Sequence, residues 1–85
     1  MKSDKFMQYA KDIVHNYICE HLDKSDDIPE FEVFIVWYCY ELGHNKALVS
    51  STLLDGMYYE VTYNSNKNQV YLDAYKKFEN RCIEL

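Results

Sequence analysis

Between Ser3 and Leu22 the apolar residues recur three or four positions apart: Phe6, Ala10, Ile13, Val14, Tyr17, Ile18 and Leu22. That spacing gathers them into one stripe of an α-helix, with polar residues filling the opposite side. Ser3 or Asp4 is placed to cap the first turn with a side-chain oxygen. The stretch DKSDDIPE follows, rich in turn-forming residues, and Pro29 stops any continuation of the helix. It reads as a linker or a short capping loop.

The period changes at Val33. The run VFIVWYCYEL over 33–42 is β-branched or aromatic at almost every position. A strand buried on both faces has this composition, so the run is expected to be the central strand of a sheet. GHN at 43–45 suits a hairpin turn, because Gly43 and Asn45 tolerate positive φ, and KALVSST then returns antiparallel. A second turn at LLDG leads into MYYEVTYN, and SNKN leads into QVYLDAY, where polar and apolar residues alternate with period two. A strand is expected through about Tyr75, with a short C-terminal helix after it on the Phe78 and Cys82 spacing. The predicted fold is α+β, an N-terminal helix packed on a four-stranded antiparallel meander. Its predicted core is Phe6, Ile13, Val14, Tyr17, Leu48, Val61 and Leu72.

If SNKN is the loop of the last hairpin, Asn64 pairs with Gln69. Tyr63 then faces Val70, Val61 faces Leu72 and Tyr59 faces Ala74 on one side. Thr62 faces Tyr71, Glu60 faces Asp73 and Tyr58 faces Tyr75 on the other. Directly opposed carboxylates sit about 5 Å apart at Cβ and repel. Either water or a nearby cation must compensate. Carried back through LLDG and GHN, this register places Trp37, Cys39, Val49 and Ser51 on the Glu60 face, and Val36, Tyr38, Tyr40 and Leu48 on the opposite one. A slip of one residue would exchange the faces.

Length makes this one domain, 1–85, since a chain of 85 residues cannot support two cores. With 48% hydrophobic residues, two glycines and one proline, it is too apolar and regular to be a disordered segment. The net charge of -5 has the wrong sign for attracting phosphate backbones. The acidic run Asp23, Asp26, Asp27, Glu30 and Glu32 outweighs the small basic cluster Lys76, Lys77 and Arg81. There is no apolar run of about 18 residues, and the N-terminus carries acids where a signal peptide has an apolar centre. A cytoplasmic location away from membranes is expected. Cys19, Cys39 and Cys82 are odd in number and widely spaced, which argues for reduced, mostly buried thiols over a disulfide framework or a zinc site.

Several residue sets raise chemistry. Glu60 with Asp73 has the makings of an acid and base pair, but a flat sheet face rarely supplies the pocket that shifts one of the two pKa values. As oxygen ligands for a divalent cation they are a minimal set. His15 and Cys19, four apart on the helix, share one side, yet no second ligand pair occurs at motif spacing. Cys39 with His44 and an acid would be a nucleophilic set, but Cys39 sits inside an apolar strand and reactive thiols need an accessible, electropositive site. No GxGxxG, P-loop, HExxH or GxSxG is present. These readings predict no enzyme, no catalytic residue, no metal and no cofactor.

Over residues 31–83, the blocks VFIVWYC, NKALVSS, DGMYYEVTYN and VYLDAYKKFEN resemble, in order and spacing, a family of small proteins of unknown function encoded in phages and prophages of Gram-positive bacteria. The first helix is similar more loosely. Where that family often carries Asn-Gly-Asp-Lys in its last hairpin, this chain has Asn64, Ser65, Asn66 and Lys67. The resemblance implies a phage accessory protein made in the cytoplasm of a bacterial host, and it brings no activity to assign to residues.

A small acidic protein without catalytic motifs is expected to act by binding. The expected role is a non-catalytic protein-binding module that inhibits or modulates a host factor through Trp37, Tyr58, Glu60, Tyr71, Asp73 and Tyr75. The alternative is a small-ligand binder, such as a protein that takes up a signalling nucleotide by stacking its base on tyrosine. One helix about 10 Å across covers one face of a sheet only. If Trp37, Ile35, Val49 and Tyr71 lie on the other face, a homodimer or a host partner should cover them.

Overall fold

The computed structural model describes residues 1–22 and 29–85. Most of the expected linker, including Asp23, Asp26 and Asp27, lies outside the described residues.

The helical stripe forms α1, Ser3–His21, and buries Phe6, Ala10, Val14 and Ile18. Its N-cap is Lys2, which offers no side-chain cap; Ser3 and Asp4 lie inside the first turn. That displaces the expected cap, although Asp4 still places a carboxylate at the positive end of the helix dipole. The other end is tied more firmly. His21 Nδ1 lies 2.8 Å from the Tyr17 carbonyl oxygen, its ring stacks on Tyr17 at 4.1 Å, and the Leu22 N–H donates to the Ile18 carbonyl at 3.0 Å.

Four strands follow as an antiparallel meander: β1 Val33–Glu41, β2 His44–Ser51, β3 Met57–Asn64 and β4 Gln69–Lys76. Their spatial order is β1-β2-β3-β4. The α+β fold of a helix on a four-stranded meander is therefore as the alternation predicts. β1, however, is an edge strand and not the central one. Its apolar run serves a different purpose, because Phe34, Val36 and Trp37 are exposed at 45%, 44% and 41%. After Lys76 the chain has no regular secondary structure, so residues 77–85 do not form the expected C-terminal helix.

The last hairpin pairs as the alternation dictates, with Asn64↔Gln69, Val61↔Leu72, Glu60↔Asp73 and Tyr58↔Tyr75. Its loop is held by Asn64, whose Oδ1 accepts from the N–H groups of Asn66 at 3.0 Å and Lys67 at 3.2 Å. The first hairpin differs. Glu41 pairs with His44, which leaves Leu42 and Gly43 as a two-residue turn. Both have positive φ, 52° and 81°, as a type I′ turn requires. Asn45, expected in the turn, is a fully buried strand residue. With this turn one residue shorter, and the β2–β3 connection one residue longer than LLDG because β2 ends at Ser51 and β3 starts at Met57, β2 changes parity against both neighbours, so Val49 and Ser51 face the helix and Leu48 faces away.

The core consists of Phe6, Ala10, Val14, Ile18, Ala47, Val49, Tyr59 and Val61, with Ile13, Tyr17, Ile35, Tyr38 and Leu72 packed around it. Leu48 does not belong to it. Phe6 meets Tyr38 at 5.9 Å, and Tyr17 meets Tyr59 edge-on at 5.6 Å. The helix thus lies over β1 and β2 and reaches β3 through Tyr17. Among the described residues the one hydrophilic side chain at full burial, Asn45, donates from Nδ2 to Tyr38 Oη at 2.7 Å and to the Met1 carbonyl at 3.2 Å. It thereby ties the start of the chain to β2.

Candidate binding face and its cleft

The face of the sheet turned away from α1 holds the candidate residues. Register places three rows across the strands: Phe34, Ser50, Tyr58 and Tyr75; then Trp37, Leu48, Glu60 and Asp73; then Cys39, Lys46, Thr62 and Tyr71. All six residues expected to bind a partner, Trp37, Tyr58, Glu60, Tyr71, Asp73 and Tyr75, therefore share one face. Ile35 and Val49, expected in the same patch, face the helix instead; Leu48 and Phe34 take their places.

Trp37 reaches this face through an irregularity. Ile35 pairs with Val49 and Trp37 with Leu48, so Val36 is an extra, unpaired residue, a β-bulge. Parity shifts across it. Ile35 points toward the helix, Trp37 points outward, and Tyr38 points back into the core.

The repulsion between Glu60 and Asp73 is relieved by Lys46. Its Nζ lies 3.0 Å from Glu60 Oε1, with the lysine side chain 41% and the carboxylate 21% exposed. The hydrogen bond and the negative charge of Glu60 hold the lysine above its ordinary value of 10.5. Alternation alone does not identify Lys46, because it sits on the strand whose parity is decided by the lengths of the connections on either side. Asp73 is exposed. The centre of the face is thus a carboxylate pair with one neutralising ammonium group, bordered by Trp37 at 41%, Tyr71 at 44% and Tyr75 at 52% exposure.

Toward the β1–β2 turn the same face opens into a shallow cleft of about 280 Å³. Cys39, Glu41, His44, Lys46, Thr62 and Tyr71 are among its lining residues. Cys39 is exposed here, opposite Lys46 in the strand pairing. Burial inside an apolar strand, the reason given above against its reactivity, does not hold. Cys82 is also exposed and Cys19 is half-buried, and all three thiols are free. His44 Nδ1 is buried without a hydrogen-bond partner among the described residues. On the other side of the molecule, His15 Nδ1 and Cys19 Sγ do approach each other, at 3.8 Å, while the imidazole stacks on Phe31 at 4.9 Å. Among the described residues no group of three or more His, Cys, Asp or Glu side chains converges to hold a metal ion, and no helix is long and apolar enough to cross a membrane.

No curated protein and no solved structure matches the chain. A family model does match, over residues 7–85, and covers all four strands and most of the helix. The chain belongs to the Family of unknown function (DUF6275).

Proposed function

We propose that this protein is a phage accessory protein that acts in the bacterial host cytoplasm as a non-catalytic protein-binding module, inhibiting or modulating a host factor. The observation that carries the reading is the uncovered sheet face, where Trp37, Tyr71 and Tyr75 are each more than 40% exposed around the Glu60–Asp73 pair. An exposed Trp and Tyr cluster beside polar groups has the composition of an interface centre. The net charge of -5 and the exposed Asp73 carboxylate favour a basic patch on the partner. Phage origin rests on the resemblance of the sequence blocks and gives the partner its host context.

The test is affinity capture from Gram-positive host lysate with tagged wild type, Trp37→Ala and Glu60→Lys. The reading expects one host protein retained by wild type and lost with both variants, while their far-UV circular dichroism stays native. Equal retention by all three forms rejects this face as the contact surface. A homodimer through the same face would appear as self-association abolished by Trp37→Ala.

The cleft beside Tyr71 favours a second reading, a small ligand such as a signalling nucleotide. Tyr71 offers a stacking surface there. Against it, Lys46 is already paired with Glu60, and Glu41 repels phosphate. Thermal-shift screening against nucleotides separates the two readings, since a stabilising nucleotide supports only the second.

A further inference from the structure

The C-terminal segment and the far end of the helix carry an inference independent of the open sheet face. At the C-terminal end of α1 an open cleft of about 210 Å³ is lined by Tyr17, Ile18, Leu22, Leu53, Met57 and Tyr59 among others, with His21 and Asp55 adding polar groups. A cavity of about 150 Å³ is enough to lodge a benzene ring. The C-terminal segment starts beside this cleft. Met57 pairs with Lys76, and the Lys77 N–H donates to the Gly56 carbonyl at 2.8 Å, which extends the ladder by one step. Continuing that register puts Phe78 opposite Asp55. Its parity with Leu72 and Ala74 turns it toward the helix side of the sheet. Yet Phe78 is 98% and Ile83 79% exposed, and Leu85 is exposed as well.

Exposed apolar side chains on a segment that starts beside an open, mostly apolar cleft are two halves of one contact. The segment leaves its own cleft unfilled, since Phe78 begins beside it yet stays in water. An exposed apolar segment and an unfilled cleft on the same molecule can satisfy each other between two copies, and a two-fold axis makes the exchange reciprocal.

We infer that residues 78–85 are an exchange arm: in a symmetric dimer, Phe78 and Ile83 of each copy seat in the cleft between α1 and the β2–β3 turn of the other. Sedimentation velocity from about 10 to 300 μM tests this on wild type, the double variant Phe78→Ser/Ile83→Ser, and Trp37→Ala. The substituted arm residues are almost wholly exposed, so the double variant keeps the fold. Wild type is expected to dimerise, the double variant to dimerise at least tenfold more weakly, and Trp37→Ala to match wild type. A wild type monomeric throughout, or a double variant that dimerises like wild type, overturns the inference. A second experiment distinguishes exchange from a clasp within one chain. In a Cys19→Ser, Cys39→Ser background, Leu53→Cys is linked to the native Cys82 with a short bismaleimide. A covalent dimer is expected. A loop-closed monomer, or a dimer that resists linkage, overturns it.

Discussion

Truncating two neighbouring residues of β2, Val49 and Leu48, gives opposite outcomes according to which face each occupies. Val49 is fully buried against the helix, whereas Leu48 is half-buried on the open face beside Trp37 and Glu60. Val49→Ala removes two buried carbon groups, worth about 1.6 kcal/mol in transfer free energy at 0.8 each. A residual cavity of ~40 Å³ adds ~1 kcal/mol if its walls do not relax. The sum is about 2.5 kcal/mol, which in a domain of this size lowers Tm by roughly 10–20 °C. Leu48→Ala deletes a larger side chain but returns water to a surface that is already partly wet. Its cost should stay below about 1 kcal/mol and its Tm shift below about 8 °C. Circular dichroism melts and urea titrations of both variants measure the difference, with an unchanged m-value as the check on two-state behaviour. A larger loss for Leu48→Ala than for Val49→Ala would refute the parity assigned to β2.

Further outcomes follow from individual residues. Leu42→Asn should raise stability by about 0.5–1 kcal/mol, because Leu42 holds φ 52° while 87% exposed and Asn-Gly is the preferred pair for such a turn; an unchanged or lower urea midpoint would count against the turn type. Gly43→Ala should cost about 1–2 kcal/mol for the reverse reason, at φ 81°, read in the same titration. Lys2→Asp should stabilise α1 by about 0.5–1 kcal/mol, since the N-cap has no side-chain bond; thermal melts check it. Alkaline pH should destabilise the protein. Burial, then the charge of Asp55, hold the Tyr59 phenol above its ordinary 10.0, so its contribution is complete below pH 10 and is lost as pH rises through the folded value. Lys46, held above 10.5 by Glu60, acts with the same sign above pH 10.5. Tyr59→Phe should flatten part of the fall in Tm between pH 9 and 11.

Where one face is buried and the other is not, the sequence reads clearly. The alternation from Tyr58 to Tyr75 closes on a loop whose Asn64 makes its own hydrogen bonds, and every pair of that hairpin follows from counting outward. The α1 stripe is equally legible because nothing competes with it. β1 misleads because composition reports apolar surface without saying what covers it. Phe34, Val36 and Trp37 look like the interior of a sheet but lie at its edge, facing water. β2 is lost to a local preference. Gly43 and Asn45 are both good turn residues, yet the chain spends Leu42 at positive φ so that Asn45 can donate to Tyr38 in the core. Only a tertiary contact decides between those turns. Lys46 is hidden for a related reason, since its meeting with Glu60 depends on the β2–β3 register, in which the connection is one residue longer than LLDG.

The bulge at Val36 has a bearing on how the molecule avoids polymerising. An edge strand of nine residues with exposed Phe34, Trp37 and Tyr40 would be an open template for another chain if its hydrogen-bonding groups ran in an unbroken row. The extra residue interrupts that row near its middle and increases the local twist. An incoming strand would keep register with either half of β1 but not with both. The same irregularity that turns Trp37 outward therefore blunts the edge beside it, so the aromatic surface can be approached across the face of the sheet while sideways addition, the route to fibrils, is obstructed.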